Sequence, residues 1–249
     1  MKYPIGIQSF EQIIQGGFVY VDKTDLVYQL VSSGKIYFLG RPRRFGKSLL
    51  VSTLQAYFEG RKDLFKGLAI EKMEQEWEVY PVIHIDMSRG KYYQLKNLHA
   101  ILNGILSKYE NLYHVETPSE NSDVYSERLA NIIAAACQQT GKQVVVLIDE
   151  YDAPMHDSMN DEKLQNQIRN VMRDFFSPLK QQDANLRFVF ITGISKFSQL
   201  SIFSELNNLK ILTMKNEYAS VCGFTEEELL ANYQEDIQEL ADENELTYD

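Results

Sequence analysis

The groups in this sequence able to do chemistry together are a lysine and a serine in Arg41-Pro42-Arg43-Arg44-Phe45-Gly46-Lys47-Ser48-Leu49-Leu50, and two carboxylates closing Gln143-Val144-Val145-Val146-Leu147-Ile148-Asp149-Glu150. The first stretch reads as a phosphate-binding loop running into a helix. Unpaired N–H groups at a helix N-terminus, with its positive dipole end, attract phosphate oxygens. In that reading the backbone of Arg43, Arg44, Phe45 and Leu49 lines the loop, and Gly46 lets the chain come close. Lys47 sets a point charge on the β and γ phosphates, and the Ser48 hydroxyl can ligand Mg²⁺. The usual pattern G-x-x-x-x-G-K-[ST] puts its first glycine at position 41; here that residue is Arg41, and Gly40 lies one place earlier. The second stretch supplies the partner chemistry. Asp149 is placed to hold Mg²⁺ through water, and Glu150 to orient and deprotonate the water that attacks the γ-phosphate. The bland alternative is a buried strand that finishes in an acidic turn, Asp149-Glu150-Tyr151-Asp152; the loop upstream weighs against it.

These groups work only if two strands end at one edge of a sheet. Lys35 to Gly40, with Gly34 and Gly40 at its ends, is a short apolar run of the kind buried in a parallel sheet. After the loop, Leu49, Leu50, Val51, Leu54, Tyr57 and Phe58 share one helical face, and Gly60 stands where a C-terminal cap is expected. Pro81 to Asp86, Arg187 to Gly193 and Leu209 to Met214 are further strands, and helices are expected over about 95–109, 124–139 and 164–176. Tyr151-Asp152-Ala153-Pro154 should break the chain. An earlier helix carries Leu26, Val27 and Leu30, capped by Asp22 or Thr24, and a last one opens on a Thr225–Glu228 capping box. The expected fold is α/β: a three-layer α/β/α sandwich around a mostly parallel sheet of about five strands.

Other polar residues have two readings each. Thr192 and Ser195 end the strand expected beside the Asp-Glu strand, and either could sense the γ-phosphate and position the water. Phe18, Tyr20 and Lys23 precede the first strand and are candidate adenine contacts, or simply packing. Asp86 could be the base of a small-molecule kinase, or a cap for the turn that follows. Arg169 and Arg173 could be arginine fingers for a neighbouring subunit, or a solvated helix face. His84 reads as a core histidine; His99 and His114 show no metal spacing. The polar loop Thr117 to Ser122 is a candidate for mobility.

Of 249 residues, 44% are hydrophobic, enough for one sizeable core or two modest ones, and one domain with a small appendage is expected. No apolar run approaches a membrane span, and Met1 to Gly6 lacks a signal-peptide core, so the expectation is a soluble cytoplasmic protein with no membrane partner. Cys137 and Cys222 stand far apart and outside any metal pattern, and read as small buried hydrophobes. The net charge of −10 is wholly accounted for by the acids of residues 226–249, a stretch without Lys or Arg; the neutral remainder gives no electrostatic case for nucleic-acid binding.

Tyr20-Val21-Asp22-Lys23-Thr24, Arg41 to Ser48, Leu147 to Asp152, Thr192 to Ser198, Phe203 to Leu209 and Cys222 to Glu228 together resemble the bacterial AAA-ATPase-like family. The resemblance spans nearly the whole chain, and in that family arginine at the position of Arg41 is usual. It implies an AAA-like P-loop ATPase of the class with an additional catalytic glutamate, with ATP and Mg²⁺ as ligands, Lys47 and Ser48 on phosphate and metal, and Asp149 with Glu150 as the acidic pair. It also implies a restriction-endonuclease-like domain further on, none of which is in this chain. We therefore expect a P-loop domain over residues 1–224 and, over 225–249, the start of an acidic helical segment leading to an effector domain, with homo-oligomers as a further expectation. The rival readings are a small-molecule kinase using Asp86 and a nucleotide-binding scaffold without turnover.

Overall fold

The computed structural model describes residues 2–117, 123–194, 202–204, 206 and 208–244. Within them five strands form one parallel sheet: β1 (Ile36–Gly40), β2 (Val82–Asp86), β3 (Val144–Asp149), β4 (Leu186–Gly193) and β5 (Lys210–Ile211), in the order β2-β3-β4-β1-β5. The helices are α1 (Phe10–Gln15), α2 (Thr24–Ser33), α3 (Lys47–Phe58), α4 (Leu95–Leu112), α5 (Tyr125–Thr140), α6 (Ala153–Asp157), α7 (Glu162–Phe176), α8 (Pro178–Gln181) and α9 (Glu226–Glu243).

Strands β1 and β3 are buried along their whole length, because helices cover both faces of the sheet. Alternation sorts their side chains. Phe38, Val146, Ile148 and Ile191 join the core under α4, α5 and α7, while Tyr37, Leu39, Leu147 and Phe190 join the core under α2 and α3. That is the three-layer sandwich the sequence predicts.

Two local details differ from expectation, each for a physical reason, and a third decides between the two caps expected for α2. Strand β5 is two residues long rather than six: after Leu212 N–H bonds Phe38 O at 2.9 Å, the Thr213 hydroxyl takes the Gly40 N–H at 2.9 Å and ends the ladder. Pro154 does not break the chain but sits in the first turn of α6, where its missing N–H is no loss. At the start of α2 it is the Asp22 carboxylate that accepts the Thr24 N–H and hydroxyl, at 2.8 and 2.7 Å. Gly60, by contrast, takes the left-handed conformation expected after α3, with φ +69°. The segment 118–122, expected to be mobile, lies outside the described residues.

Strand β2 is an edge. The outward N–H and C=O of His84 are both met by one phenol: Tyr109 of α4 accepts from His84 N at 2.6 Å and donates to His84 O at 3.1 Å. Between α4 and α5, Arg128 grips Glu110 with two bonds, Nε to Oε1 at 2.7 Å and Nη2 to Oε2 at 2.8 Å, and its side chain is 5% exposed. Removing one partner of such a pair strands the other, so Arg128→Ala should cost about 3 kcal/mol or more, read as a lowered midpoint in urea unfolding. Arg128 also holds Glu110 below its ordinary value of 4.5. The pair's contribution is therefore complete above that value and fades as pH falls through the lower value of the folded state.

Candidate active site

β1 and β3 are parallel, with β4 between them, so the loop after β1 and the acids after β3 emerge at one edge of the sheet. Sequence alone dictates the turn. Gly46 stands at φ +83° before α3 begins at Lys47, and Leu50 N–H is the first to bond back, to Gly46 O at 3.0 Å. The N–H groups just before it have no helical acceptor and face the loop. Pro42 to Gly46 are exposed, whereas Lys47 is 3% exposed, its Nζ donating to the carbonyls of Arg41 and Pro42 at 3.0 Å each.

Arg41, at the position where a glycine is usual, needs no left-handed backbone; that conformation falls at Arg44, φ +68°. The Arg41 N–H bonds Gly193 O at 3.1 Å, and its guanidinium donates to Thr213 O at 2.9 Å and Tyr218 O at 3.3 Å. The side chain thus ties the loop to the segment that leads towards α9. Sequence reading missed this; the signal was an arginine where glycine suffices for the turn.

On the acidic side Thr192 is fully buried, and its hydroxyl donates to Asp149 Oδ1 while accepting the Glu150 N–H at 3.1 Å. The Tyr151 N–H bonds Thr192 O at 3.0 Å. These bonds hold Glu150 at φ +49°, a conformation an L-residue adopts only under constraint. Gly193 is required beside them, since a Cβ there would lie 2.4 Å from the Tyr151 ring. Asp152, fully buried, accepts the Ile194 N–H at 2.9 Å and anchors the chain beyond β4. Thr192→Val keeps the shape but leaves a buried carboxylate oxygen and an N–H without their hydroxyl. We expect it to lower stability by about 2 kcal/mol, seen as a lower thermal midpoint.

Arg43, Gly46, Lys47, Ser48 and Glu150 line one cavity of about 760 Å³. Burial, and then the neighbouring Asp149, push the Glu150 carboxyl above its ordinary value, and Lys47 and Arg43 oppose the rise. An adjoining cavity of about 270 Å³ is lined by Arg44, Phe45, Leu49, Tyr20 and Lys23 among others. So residues predicted from sequence converge at one edge in two adjacent hollows. Phe18 is not among the lining residues; its ring lies under Lys2 Nζ at 4.2 Å.

Other candidates fall elsewhere. Asp86 pairs in register with Asp149 but caps its own turn, accepting Ser88 N–H at 2.9 Å and Arg89 Nε at 2.8 Å. Arg169 and Arg173 lie on α7 and line neither cavity; Arg173 is exposed, and the Arg169 guanidinium bonds Asn166 of its own helix. His84 is partly buried, its Nδ1 paired with Gln55 at 3.1 Å, and burial lowers its pKa. Among the described residues no cluster of three or more His, Cys, Asp or Glu forms a metal site. Ser195 lies outside the described residues. No helix among them is long and apolar enough to cross a membrane.

The family model for AAA-ATPase-like proteins, described as a predicted AAA-ATPase, matches residues 4–203. A protein of Azotobacter chroococcum mcd 1, described as an uncharacterized protein in the vnfD 5′ region, is 38% identical over 227 residues, which cover 90% of this chain and 43% of that protein. The chain thus spans less than half the length of that relative. No solved structure matches it.

Proposed function

Because this chain belongs to the AAA-ATPase-like family, we propose that residues 1–224 form a P-loop domain that binds ATP with Mg²⁺ and hydrolyses it, acting as a switch for an effector domain beyond the acidic segment 225–249. The observation that carries this reading is convergence: Lys47 and Ser48 from one strand end, and Glu150 from another, line the same cavity.

Each side chain has a task in that reaction. Lys47 leaves the carbonyls of Arg41 and Pro42 for phosphate oxygens, an exchange of neutral acceptors for charged ones that favours the bound state. The Ser48 hydroxyl and the Asp149 carboxylate are oxygen donors of the kind Mg²⁺ takes, and they would hold it. When bound, the ion neutralises charge developing on the β and γ phosphates. Glu150, its pKa raised, takes a proton from the attacking water, and Thr192 holds the Asp149 carboxylate and the Glu150 backbone. The kinase reading draws less support, because Asp86 is engaged in its own cap and lines a different hollow from Lys47.

The test is to measure ATP retention and phosphate release by the purified chain with and without Mg²⁺. Retention that does not depend on Lys47 would sink the assignment; retention without release would leave the scaffold reading in its place.

A further inference from the structure

The hollow beside the phosphate cavity is built from the two ends of the chain. Ile7, Arg44, Gly46 and Leu49 line both cavities, so the two are immediate neighbours. One wall is Tyr20, Val21 and Lys23; the other is Val221, Cys222 and Tyr233. The surface is largely apolar. Its buried cation is neutralised, since Lys23, 8% exposed, is paired with Glu228 at the start of α9. Burial raises the pKa of the Tyr20 phenol, which keeps it neutral as well. A hollow of this kind suits an uncharged planar ring rather than a second anion.

The second wall is held by the phosphate loop itself. Arg41 fixes the carbonyls of Thr213 and Tyr218, and Gly223, at φ +86°, turns beside Phe45, where an added Cβ would make ordinary contact with its ring at 3.6 Å. Helix α9 then breaks its regular geometry at Tyr233, φ −134° and ψ 17°, the residue of α9 that faces the hollow. The Tyr233 ring stacks on Tyr3 at 6.0 Å and meets Phe224 edge-on at 6.1 Å, and the Tyr3 hydroxyl bonds Asp236 one turn further along.

We propose that this hollow takes the heteroaromatic base of the nucleotide and that the segment from Cys222 to Tyr233 is its second wall, so that α9 is part of the binding site. The inference rests on the nucleotide reading above and extends it. Base occupancy is then felt directly at the helix that leads out of the domain, through contact with Tyr233.

The chain has two cysteines, Cys137 and Cys222, and only the second lines the hollow, which allows a direct test with a small thiol-alkylating reagent. Burial pushes the Cys222 thiol up to about 11, so the reaction is slow and its rate is readily followed by peptide mapping. Saturating Mg-ATP should slow alkylation of Cys222 about tenfold or more and leave Cys137 unchanged, whereas inorganic tripolyphosphate, which fills the phosphate cavity alone, should protect neither. Tyr233→Ala should weaken ATP about tenfold through lost ring contact, and tripolyphosphate not at all. Should Cys222 prove inert in the empty protein, the Tyr233→Ala comparison decides. If both ligands are retained in equilibrium dialysis, with equal Cys222 rates or with affinities equally affected by Tyr233→Ala, the base placement is wrong and the nucleotide reading survives. If neither ligand is retained, both fall.

Discussion

We expect Lys47→Ala to abolish measurable ATP retention while leaving the fold intact. On the proposed reading the ammonium group is the point charge that meets the phosphates, and hydrogen bonds to charged groups contribute about 1.5–3 kcal/mol each; two lost together weaken binding roughly 10²- to 10⁴-fold. The opposing effect is small. Without ligand, Nζ serves the carbonyls of Arg41 and Pro42, and Pro42 is exposed, so water can replace the ammonium there. Equilibrium dialysis with labelled ATP, beside circular dichroism to confirm the fold, checks both halves. Near-normal retention by the variant would remove the phosphate loop from the argument.

Glu150→Gln is expected to show the opposite profile: ATP retained and turnover lower by about 10²- to 10⁴-fold, the range that a positioned general base supplies. Glutamine keeps the shape and the backbone at φ +49°, which is fixed by the Glu150 N–H on the Thr192 hydroxyl and the Tyr151 N–H on the Thr192 carbonyl rather than by the carboxylate. The pH profile gives a second readout. Burial raises the Glu150 carboxyl above its ordinary 4.5, so the base is protonated and inactive at low pH. In kcat/KM for the native protein, activity rises with pH along a limb displaced above 4.5, and the glutamine variant lacks that limb. Normal hydrolysis by a contaminant-free Glu150→Gln protein would show that another group activates the water.

The parts of this site carried by local chemistry were legible in the sequence. The loop from Arg41 to Ser48 between strand and helix, the acidic end of β3, the cap at Thr225 and Glu228 and the buried apolar runs of β1 and β3 each follow from residue type and spacing, and the described residues show these local elements in place. Contacts between segments remote in the chain were not legible. Nothing in the spacing of Arg41 shows that its guanidinium meets Thr213 and Tyr218, or that Lys23 pairs with Glu228. Thr192 was singled out for its place beside β3, which the strand order supports, but its bonds to Asp149 and Glu150 depend on register, which no periodicity encodes. Strand β5 was read too long because its apolar residues mark burial, whereas its end is set by one hydroxyl on Thr213.

The Tyr109 phenol on His84 bears on how copies of this chain can meet. An open sheet margin with spare N–H and C=O groups is a template on which another chain can zip up, the route to fibrils and swapped strands. At the middle of β2 both groups are already spoken for by one phenolic hydroxyl, whose pKa burial raises so that it keeps the proton it donates. Self-association by continuous pairing along that margin would first have to evict the tyrosine.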